Sequence, residues 1–360
     1  MTETPKIRDT FDNRDVLITG GLGFLGSNLA LRLVDLGANV TIVDSLVEGC
    51  GGNLYNIASI AGRVHVLQKN IASACRFRDA IPRAGVIFNL AGEISHIHSM
   101  HFPRRDEWLN AASQLRFLEE CTQSSPGVRV VYAGTRQIYG APRYLPVDED
   151  HPICPLDFNG IHKAAAAMYH IVYARTGKLD AVVLNFSNVY GPRMALSVPC
   201  QGFLGNFIRK GLIGRRLDVF GDGQQLRDPV YVDDAVEAIL AAGAAEGLRS
   251  RTYNVGGPEP LTVGRMADIA SCIAGLEPPL YRSFPREQEA IDIGSYYADW
   301  SRIRHDLGWA PSVRFADGMQ KVFTFYRNDL AHYVDPSAGE PECRLLARWR
   351  AQPQASRKAR

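Results

Sequence analysis

Short apolar runs rich in β-branched residues alternate with longer stretches of helical periodicity through the first half of the chain. The runs are uniformly apolar, which is typical of strands buried on both faces of a parallel sheet. They predict strands at residues 16–19, 40–43, 64–67, 86–90, 129–133 and 181–184. Helices are predicted at residues 24–36, at about 107–121 and at about 160–176. This order predicts an α/β fold with a Rossmann-type, doubly wound parallel sheet.

The second half of the chain is less regular, because Pro and Gly interrupt it repeatedly. This composition indicates a smaller C-terminal lobe of short elements and loops that closes over a substrate. We therefore expect one domain over residues 1–185 together with about 228–256. The lobe would take residues 186–227 and 257–335, and a basic tail would follow over 336–360.

A glycine-rich turn, TGGLGFLG, stands between the first predicted strand and the first predicted helix. It satisfies G-x-G-x-x-G through Gly21, Gly23 and Gly26, and G-x-x-G-x-x-G through Gly20, Gly23 and Gly26. Glycines let the backbone approach a pyrophosphate, which the helix N-terminus then stabilises. Asp44 ends the next predicted strand, 18 residues after Gly26, and such a carboxylate binds ribose hydroxyls and repels a 2′-phosphate. The pattern favours NAD over NADP.

Composition excludes several classes of protein. Apolar residues make up 46% and charged residues 22%, which is ordinary for a globular enzyme, and a net charge of +2 gives no basic face for nucleic acid. The polar N-terminus has no signal-peptide core, and no stretch reaches the ~18 apolar residues of a membrane span. We therefore expect a cytoplasmic protein without membrane or nucleic-acid partners. Seven scattered cysteines without a C-x-x-C pair predict reduced thiols and no metal site.

Further motifs bring a known family into view. The glycine turn resembles the TGGxGFxG signature of extended short-chain dehydrogenases/reductases, the nucleotide-sugar epimerases and dehydratases. NLAG at 89–92, YAGTRQIYG at 132–140, NFSNVYGP at 185–192 and FGDGQQLRDPVYVDD at 220–234 are similar to later signatures of that family. About nine such segments follow one another in the family's order over roughly residues 16–311.

The resemblance implies that the first domain binds NAD and that the lobe binds a nucleotide sugar. The implied cofactor contacts are Gly20, Gly23, Phe24, Leu25, Gly26, Asp44, Asn70, Ile71, Leu90, Ala91, Lys163 and Phe186. The implied substrate contacts are Ser95, Asn188, Arg227 and Asp292, with Arg227 on the nucleotide diphosphate. Around Asp292 the family's arginine is displaced, although the aspartate itself stands in register.

The segment that carries the family's proton-transfer residue departs from its pattern. The family has a tyrosine in Y-x-x-x-K, whereas this chain has Lys163 with Asn159 four residues earlier. An asparagine amide does not titrate in a usable range, so it cannot act as a general base, although it can hydrogen-bond a hydroxyl. With Thr135 on the position of the family's catalytic Ser/Thr, we expect Thr135, Asn159 and Lys163 to form the catalytic group.

Three interpretations of this departure remain open. In the first, another group supplies the base: His162, three residues along the same helix, or His96 or His98 from the loop after the fourth strand. In the second, substrate assistance, water or Thr135 suffices. In the third, the protein binds its ligands without reacting. We expect an active enzyme, since a protein that had lost its activity need not have kept the other motifs.

The residues after Thr135 narrow the expected reaction. The dehydratase branch of the family has an Asp-Glu pair there, whereas this chain has Arg136 and Gln137, which cannot serve as an acid/base pair. We therefore expect a nucleotide-sugar 4-epimerase, similar to UDP-glucose 4-epimerases, that oxidises and re-reduces C4 with bound NAD. The alternatives are decarboxylation of a UDP-hexuronate, with Arg136 on the substrate carboxylate, another nucleotide-sugar dehydratase, and a non-catalytic protein that binds both ligands.

The predicted helix at about 160–176 also predicts an assembly. It is apolar on most sides, so it must be buried on most sides. The family commonly dimerises through this helix and the preceding one, here near 107–121, and we expect a homodimer. The charged residues of 336–360 are expected to form a solvated tail.

Overall fold

The structure is a computed structural model that describes residues 5–198 and 202–334, so the basic tail lies outside the described residues. The strands are β1 (Asp15–Thr19), β2 (Asn39–Asp44), β3 (Val64–Gln68), β4 (Val86–Asn89), β5 (Arg129–Thr135), β6 (Asp180–Phe186), β7 (Val189–Tyr190), β8 (Asp218–Phe220), β9 (Leu226–Arg227), β10 (Val230–Tyr231), β11 (Thr252–Val255), β12 (Leu261–Thr262) and β13 (Leu280–Arg282). Seven of them form a parallel sheet in the order β3-β2-β1-β4-β5-β6-β11. This is the doubly wound Rossmann order extended by one strand, and it confirms the predicted fold.

Helices cover both faces of this sheet and build the lobe. They are α1 (Pro5–Phe11), α2 (Phe24–Asp35), α3 (His96–His101), α4 (Pro103–Glu107), α5 (Ser113–Ser124), α6 (Phe158–Arg175), α7 (Gly202–Leu212), α8 (Val232–Ala244), α9 (Val263–Ala274), α10 (Arg286–Glu289), α11 (Ser301–Leu307) and α12 (Phe315–Asp329). A π-helical turn, Trp108–Ala112, joins α4 to α5, so the helix expected near 107–121 is part of a longer helical segment over 103–124. None of the helices in the described ranges is long and apolar enough to cross a membrane.

The strands bury alternate side chains on opposite faces of the sheet. In β1, Val16 and Ile18 join one apolar cluster while Leu17 joins another on the other face. The first cluster continues into the lobe, where Leu204 of α7 and Phe323 of α12 belong to it. Because one core runs through both parts, the lobe is held firmly against the carboxyl ends of the strands.

Two features of the fold were not apparent from the apolar pattern. The edge strand β11 has Thr252 and Asn254 among its four residues, so it does not stand out as an apolar run. Helix α6 begins at Phe158, two residues before its predicted start, because the Asp157 side chain accepts the Gly160 N–H at 2.7 Å and caps the first turn.

Candidate functional site

A cavity of about 490 Å³ opens at the carboxyl ends of β1, β4, β5 and β6, between the sheet and the lobe. The sheet contributes the residues that directly follow these strands, and the lobe contributes α7, β8 and the segment around α10. In open parallel sheets, ligands bind in this crevice, where the strand order reverses. The cavity is therefore the candidate active site.

The glycine turn borders the cofactor end of the cavity through Phe24 and Leu25. Gly20 has a φ of +68°, and a Cβ atom there would lie 2.9 Å from the backbone that follows β4. A Cβ atom on Gly26 would meet the carbonyl oxygen of Gly20 well inside contact distance. Gly23 begins α2 without a side-chain cap, and Phe24 and Leu25 line the cavity. The turn thus offers close backbone approach and an open helix N-terminus, which suit a pyrophosphate.

Asp44 lies at the end of β2, beside the glycine turn. Its carboxylate accepts the N–H of Leu22 at 3.0 Å and the N–H of Leu46 at 2.9 Å. Burial raises the pKa of Asp44, while the same backbone hydrogen bonds oppose the rise. Leu46 and Gly52 line a second cavity of about 250 Å³ next to this carboxylate. An acceptor for ribose hydroxyls is therefore fixed beside an open space.

The other predicted cofactor residues fall into two groups. Leu90 and Phe186 line the main cavity, and the backbone of Ala91 meets Gly20. Asn70 caps a 3₁₀ segment, Ile71–Ala80, by accepting the Ala72 N–H at 2.8 Å. Ile71 is buried in the core, and neither it nor Asn70 contributes to the walls of the two cavities. Their contact with a cofactor remains a prediction.

Lys163 lies on α6, is buried, and lines the cavity. Burial lowers its pKa to about 8, although Asp106 and Glu93 act in the opposite direction. A Cβ atom on Gly92 would lie 2.7 Å from both the Lys163 Nζ atom and the Asn110 Oδ1 atom. Glycine at position 92 thus lets the lysine approach the backbone after β4.

Thr135 and Asn159 line the same cavity as Lys163, so all three residues of the predicted catalytic group border it. Thr135 ends β5, and its hydroxyl accepts the Gln137 N–H at 3.2 Å, which caps a 3₁₀ turn at Arg136–Tyr139. These contacts show where the three residues lie, while their roles in catalysis remain predictions.

The Asn159 amide is held by the protein. Its Nδ2 atom donates to the Glu93 carbonyl oxygen at 3.1 Å and to Asp106 Oδ2 at 3.0 Å. The other oxygen of Asp106 lies 2.7 Å from His162 Nδ1. His162, proposed from the sequence as a base, therefore faces this buried carboxylate and does not line the cavity. Sequence reasoning missed Asp106, which lies 53 residues from Asn159 on another helix.

Of the polar residues Ser95, His96 and His98, which follow β4, only His96 lines the cavity. Ser95, expected to contact substrate, is buried, accepts the His98 N–H at 3.1 Å to cap α3, and does not line the cavity. His98 is buried as well, and burial lowers its pKa to about 4. His96 lines the cavity, and its Nδ1 atom lies 3.1 Å from Asp157 Oδ2. Of the three histidines considered, His96 alone reaches the cavity.

Two buried arginines, Arg136 and Arg227, line the substrate end of the cavity. Arg227 donates to the carbonyl oxygens of Leu226, at 2.8 Å, and Gly294, and lies 3.5 Å from Asp292 Oδ1. Burial and, to a smaller extent, the neighbouring Arg136 together lower the pKa of Arg227 to about 9. Two desolvated cations beside one cavity favour an anionic ligand.

Two buried polar atoms at the substrate end have no hydrogen-bond partner among the described residues. The guanidinium of Arg136 stacks over Tyr296 at 5.0 Å, and its buried Nη1 atom has no hydrogen-bond partner. The Oδ1 atom of Asn188, which follows β6, is also buried and unpartnered. Asp228 lies beside Arg136, and its burial raises its pKa to about 7. Because buried polar atoms are normally satisfied, these atoms indicate ligand contacts.

Comparison with known proteins extends over both the sheet and the lobe. Residues 16–256 match the family model described as "NAD dependent epimerase/dehydratase family". The UDP-glucose 4-epimerase of Mycolicibacterium smegmatis is 33% identical over 321 residues, covering 87% of this chain and 98% of that protein.

Solved structures are similar over the same length. The UDP-glucose 4-epimerase of Thermotoga maritima with UDP-glucose is 28% identical with a TM-score of 0.79, covering 88% of this chain and 99% of the other. MoeE5 in complex with UDP-glucuronic acid and NAD is 26% identical with a TM-score of 0.76, covering 88% of this chain and 99% of that chain.

Proposed function

The chain belongs to the NAD dependent epimerase/dehydratase family, and on that premise we propose that it is a nucleotide-sugar 4-epimerase. One observation carries the proposal: Thr135, Lys163 and Arg227 line a single cavity that begins at the glycine turn. The same cavity holds no acid/base pair after Thr135, because Arg136 and Gln137 stand there. This arrangement supports oxidation at a sugar carbon without elimination.

The residues of the cofactor end fit NAD. Glycine occupies the two positions where a side chain would fill the turn, Gly20 and Gly26, and the carboxylate of Asp44 suits an unphosphorylated ribose. NAD, when bound, supplies the acceptor and donor of a hydride. Asp44 would hold the adenosine ribose and Lys163 the nicotinamide ribose, between the apolar walls of Leu90 and Phe186.

The chain's own residues would then orient the sugar. The Thr135 hydroxyl would hydrogen-bond the C4 hydroxyl, and Arg227 with Asn188 would bind the diphosphate. Arg227 is already held by carbonyl oxygens and Asp292, so it loses little conformational freedom on binding.

Product analysis tests this function. The protein with NAD would be incubated with UDP-, dTDP-, GDP- and CDP-hexoses and hexuronates, and the nucleotide sugars separated and weighed. We expect a product of unchanged mass with inverted C4. Loss of carbon dioxide or water would identify a decarboxylase or dehydratase instead. If every nucleotide sugar returned unchanged while NAD stayed bound, the protein would be a binding protein without catalysis.

A specific observation favours a second candidate, a UDP-hexuronate substrate. The buried Nη1 atom of Arg136 has no partner beside the cavity, and a carboxylate is an anion that a guanidinium can bind bidentately. If the substrate is a uronate, Arg136→Gln raises KM for UDP-glucuronate by ~10²-fold and leaves KM for UDP-glucose little changed. Equal effects on the two substrates would eliminate this candidate.

The exposed apolar residues of α6 support a homodimer. Ile161, Met168 and Val172 fall on one helical face and are 47%, 49% and 56% exposed, and Trp108 of the neighbouring π turn is 41% exposed. A second copy that packs α6 and the 103–124 segment against their equivalents would bury these side chains. Sizing is expected to give twice 39.7 kDa, and Met168→Asp to give 39.7 kDa. A wild-type protein of 39.7 kDa would contradict the dimer.

We also propose a cytoplasmic location for the enzyme. The support is that Cys50, Cys75, Cys121, Cys154 and Cys272, the cysteines within the described ranges, are free thiols. Imaging of the tagged protein in its native cell would test this.

A further inference from the structure

The titratable side chains that line the cavity, within the described residues, are arginines, two carboxylates, His96 and Lys163. Arginine stays protonated in proteins. The carboxylates, Asp218 and Asp292, each face an arginine, at 2.5 and 3.5 Å. Because both carboxylates are engaged in ion pairs, His96 and Lys163 remain as the candidates to accept a proton from a sugar hydroxyl.

Lys163 is unsuited to accept that proton first. Its pKa of about 8 keeps most of it protonated at neutral pH, and the nearby carboxylates of Asp106 and Glu93 favour the charged form. A protonated amine donates hydrogen bonds and has no lone pair to offer. His96 differs, because a neutral imidazole has one ring nitrogen with a lone pair that can accept a proton.

His96 is held beside a buried carboxylate. Its Nδ1 atom is buried and lies 3.1 Å from Asp157 Oδ2, within ion-pair distance, although the direction is outside that of a hydrogen bond. Such contacts in active sites often tighten when substrate binds. About 36% of the side chain is exposed, and the residue lines the cavity. The tautomer that carries its proton on Nδ1, the nitrogen next to the carboxylate, leaves the lone pair on Nε2.

Asp157 is held by hydrogen bonds to the start of α6 and to the turn that follows β5. One of its oxygens accepts the Gly160 N–H at 2.7 Å, which begins the helix that carries Asn159 and Lys163. The other accepts from Gln137 Nε2 at 2.9 Å, two residues after Thr135. The carboxylate therefore places His96 next to both the end of β5 and the start of α6.

The charged groups on the helices packed against α3 include Arg104, Arg105, Asp106 and Glu107 on α4 and His162, Lys163 and Arg175 on α6. Helices α4 and α6 pack against α3. On α4, Arg105 donates to the Glu48 carbonyl oxygen at 3.0 Å, and Asp106 is held by Asn159 and His162. Asp157 is thus the carboxylate that faces His96.

We propose that His96 is the catalytic proton acceptor and donor, and that Asp157 is its positioning residue; this rests on the proposed function. In the first half-reaction, the C4 hydroxyl O–H bond breaks and its proton goes to Nε2 of His96. The C4–H bond breaks as well, and its electron pair leaves as hydride to the oxidised nicotinamide that the family uses. The return step reverses both transfers on the opposite face of the sugar, so the enzyme ends unchanged.

The experiment compares His96→Gln with His101→Gln, a matched substitution on the same helix that does not line the cavity. His96→Gln is expected to lower kcat by ~10²–10⁴-fold, the usual loss when a general base is removed. Its binding of UDP-glucose and of NAD, measured by calorimetry, should stay within about twofold of the wild type, because the variant keeps the binding groups. His101→Gln should retain the wild-type kcat.

Asp157→Asn tests the positioning role. Asparagine also caps a helix, so the melting temperature should change little. Loss of the negative charge disfavours the imidazolium, so the acid limb of the kcat/KM profile should move to lower pH. A wild-type kcat in His96→Gln would overturn the proposal. So would a kcat/KM profile that loses its acid limb in His162→Gln and keeps it in His96→Gln, because another group would then accept the proton.

A readout independent of turnover separates this inference from the proposed function. In NMR spectra of isotope-labelled histidine, Asp157→Asn should lower the titration midpoint of His96 and leave that of His101 in place. If the wild type turned over no nucleotide sugar, the proposed function would fail, and the NMR result would still decide the pairing. An unchanged His96 midpoint would overturn the pairing, whatever the activity.

Discussion

The glycine turn after β1 and the start of α6 face the same cavity, yet their chemistry is fixed by different parts of the chain. At the turn, backbone atoms make the site, and a Cβ atom on Gly20 or Gly26 would collide with other backbone. At the start of α6, side chains make the site, and Asn159 stands where the resembled motif has a tyrosine. The backbone shape of the turn depends on the glycines themselves and cannot be replaced by another segment. A proton acceptor, in contrast, can come from any element whose side chain reaches the cavity.

The largest effect is expected at the turn. Gly26→Val places a side chain against the carbonyl oxygen of Gly20, so the turn must open or the cofactor must move. Overpacking of this kind costs roughly 1–3 kcal/mol in strain, so NAD affinity should fall by up to ~150-fold. Calorimetry measures it. Gly62→Ala is the control, because a Cβ atom there meets nothing within 4 Å. Wild-type affinity in Gly26→Val would refute the backbone account.

The next largest effect is expected on nucleotide-sugar affinity alone, at the substrate end of the cavity. Arg227→Gln removes a buried charge from the substrate end, and nucleotide-sugar affinity should fall by ~10²-fold, the worth of a charge-assisted contact. NAD affinity should not change, since the glycine turn is untouched. Arg265→Gln, an exposed position on α9, is the control. A parallel loss of NAD affinity would show that the two ends do not act separately.

A smaller effect is expected for Asn159. Its amide donates to Glu93 O and Asp106 in the buried interior, so Asn159→Ala should lower the free energy of unfolding by about 1–3 kcal/mol. Urea denaturation measures the change. Asn39→Ala removes hydrogen bonds from an exposed position and should cost less. Equal stability of wild type and Asn159→Ala would mean that the amide does not hold the start of α6.

The smallest effect concerns the choice of cofactor. Asp44→Asn keeps a hydrogen-bonding side chain and removes the charge that repels a 2′-phosphate. The preference for NAD over NADP should fall by ~10-fold, about 1.4 kcal/mol. Competitive binding of the two cofactors measures this ratio. An unchanged ratio would show that Asp44 serves the glycine turn alone, through its bond to the Leu22 N–H.

The sequence predicts the turn better than the start of α6, for a physical reason. Apolar runs and glycine spacing are local, so β1, the turn and the 18-residue step from Gly26 to Asp44 can be read directly from the chain. The partners of His96 and Asn159 are Asp157 and Asp106, carboxylates from other segments. Such contacts depend on how helices pack and leave no periodic pattern. The sequence therefore names three histidines as candidates, and the structure brings one of them to the cavity.

Ser95 is a residue for which the sequence suggests a ligand contact and the structure shows a helix cap. A Ser-His pair after β4 is part of the resemblance, and the sequence suggests that its hydroxyl contacts substrate. In the structure that hydroxyl caps α3, the helix on which His96 lies. A short polar side chain can bond a ligand or a backbone N–H, and only the packed structure distinguishes the two.

The most direct test of the proposed function follows the hydrogen at C4. UDP-glucose with deuterium at C4 would be incubated with the protein and NAD, and the product examined by mass spectrometry and NMR. Transient oxidation at C4 predicts a product of unchanged mass, inverted at C4, that keeps its deuterium there, because the hydride that leaves is the one that returns. Deuterium lost to water, a change of mass, or substrate recovered unchanged would contradict the account.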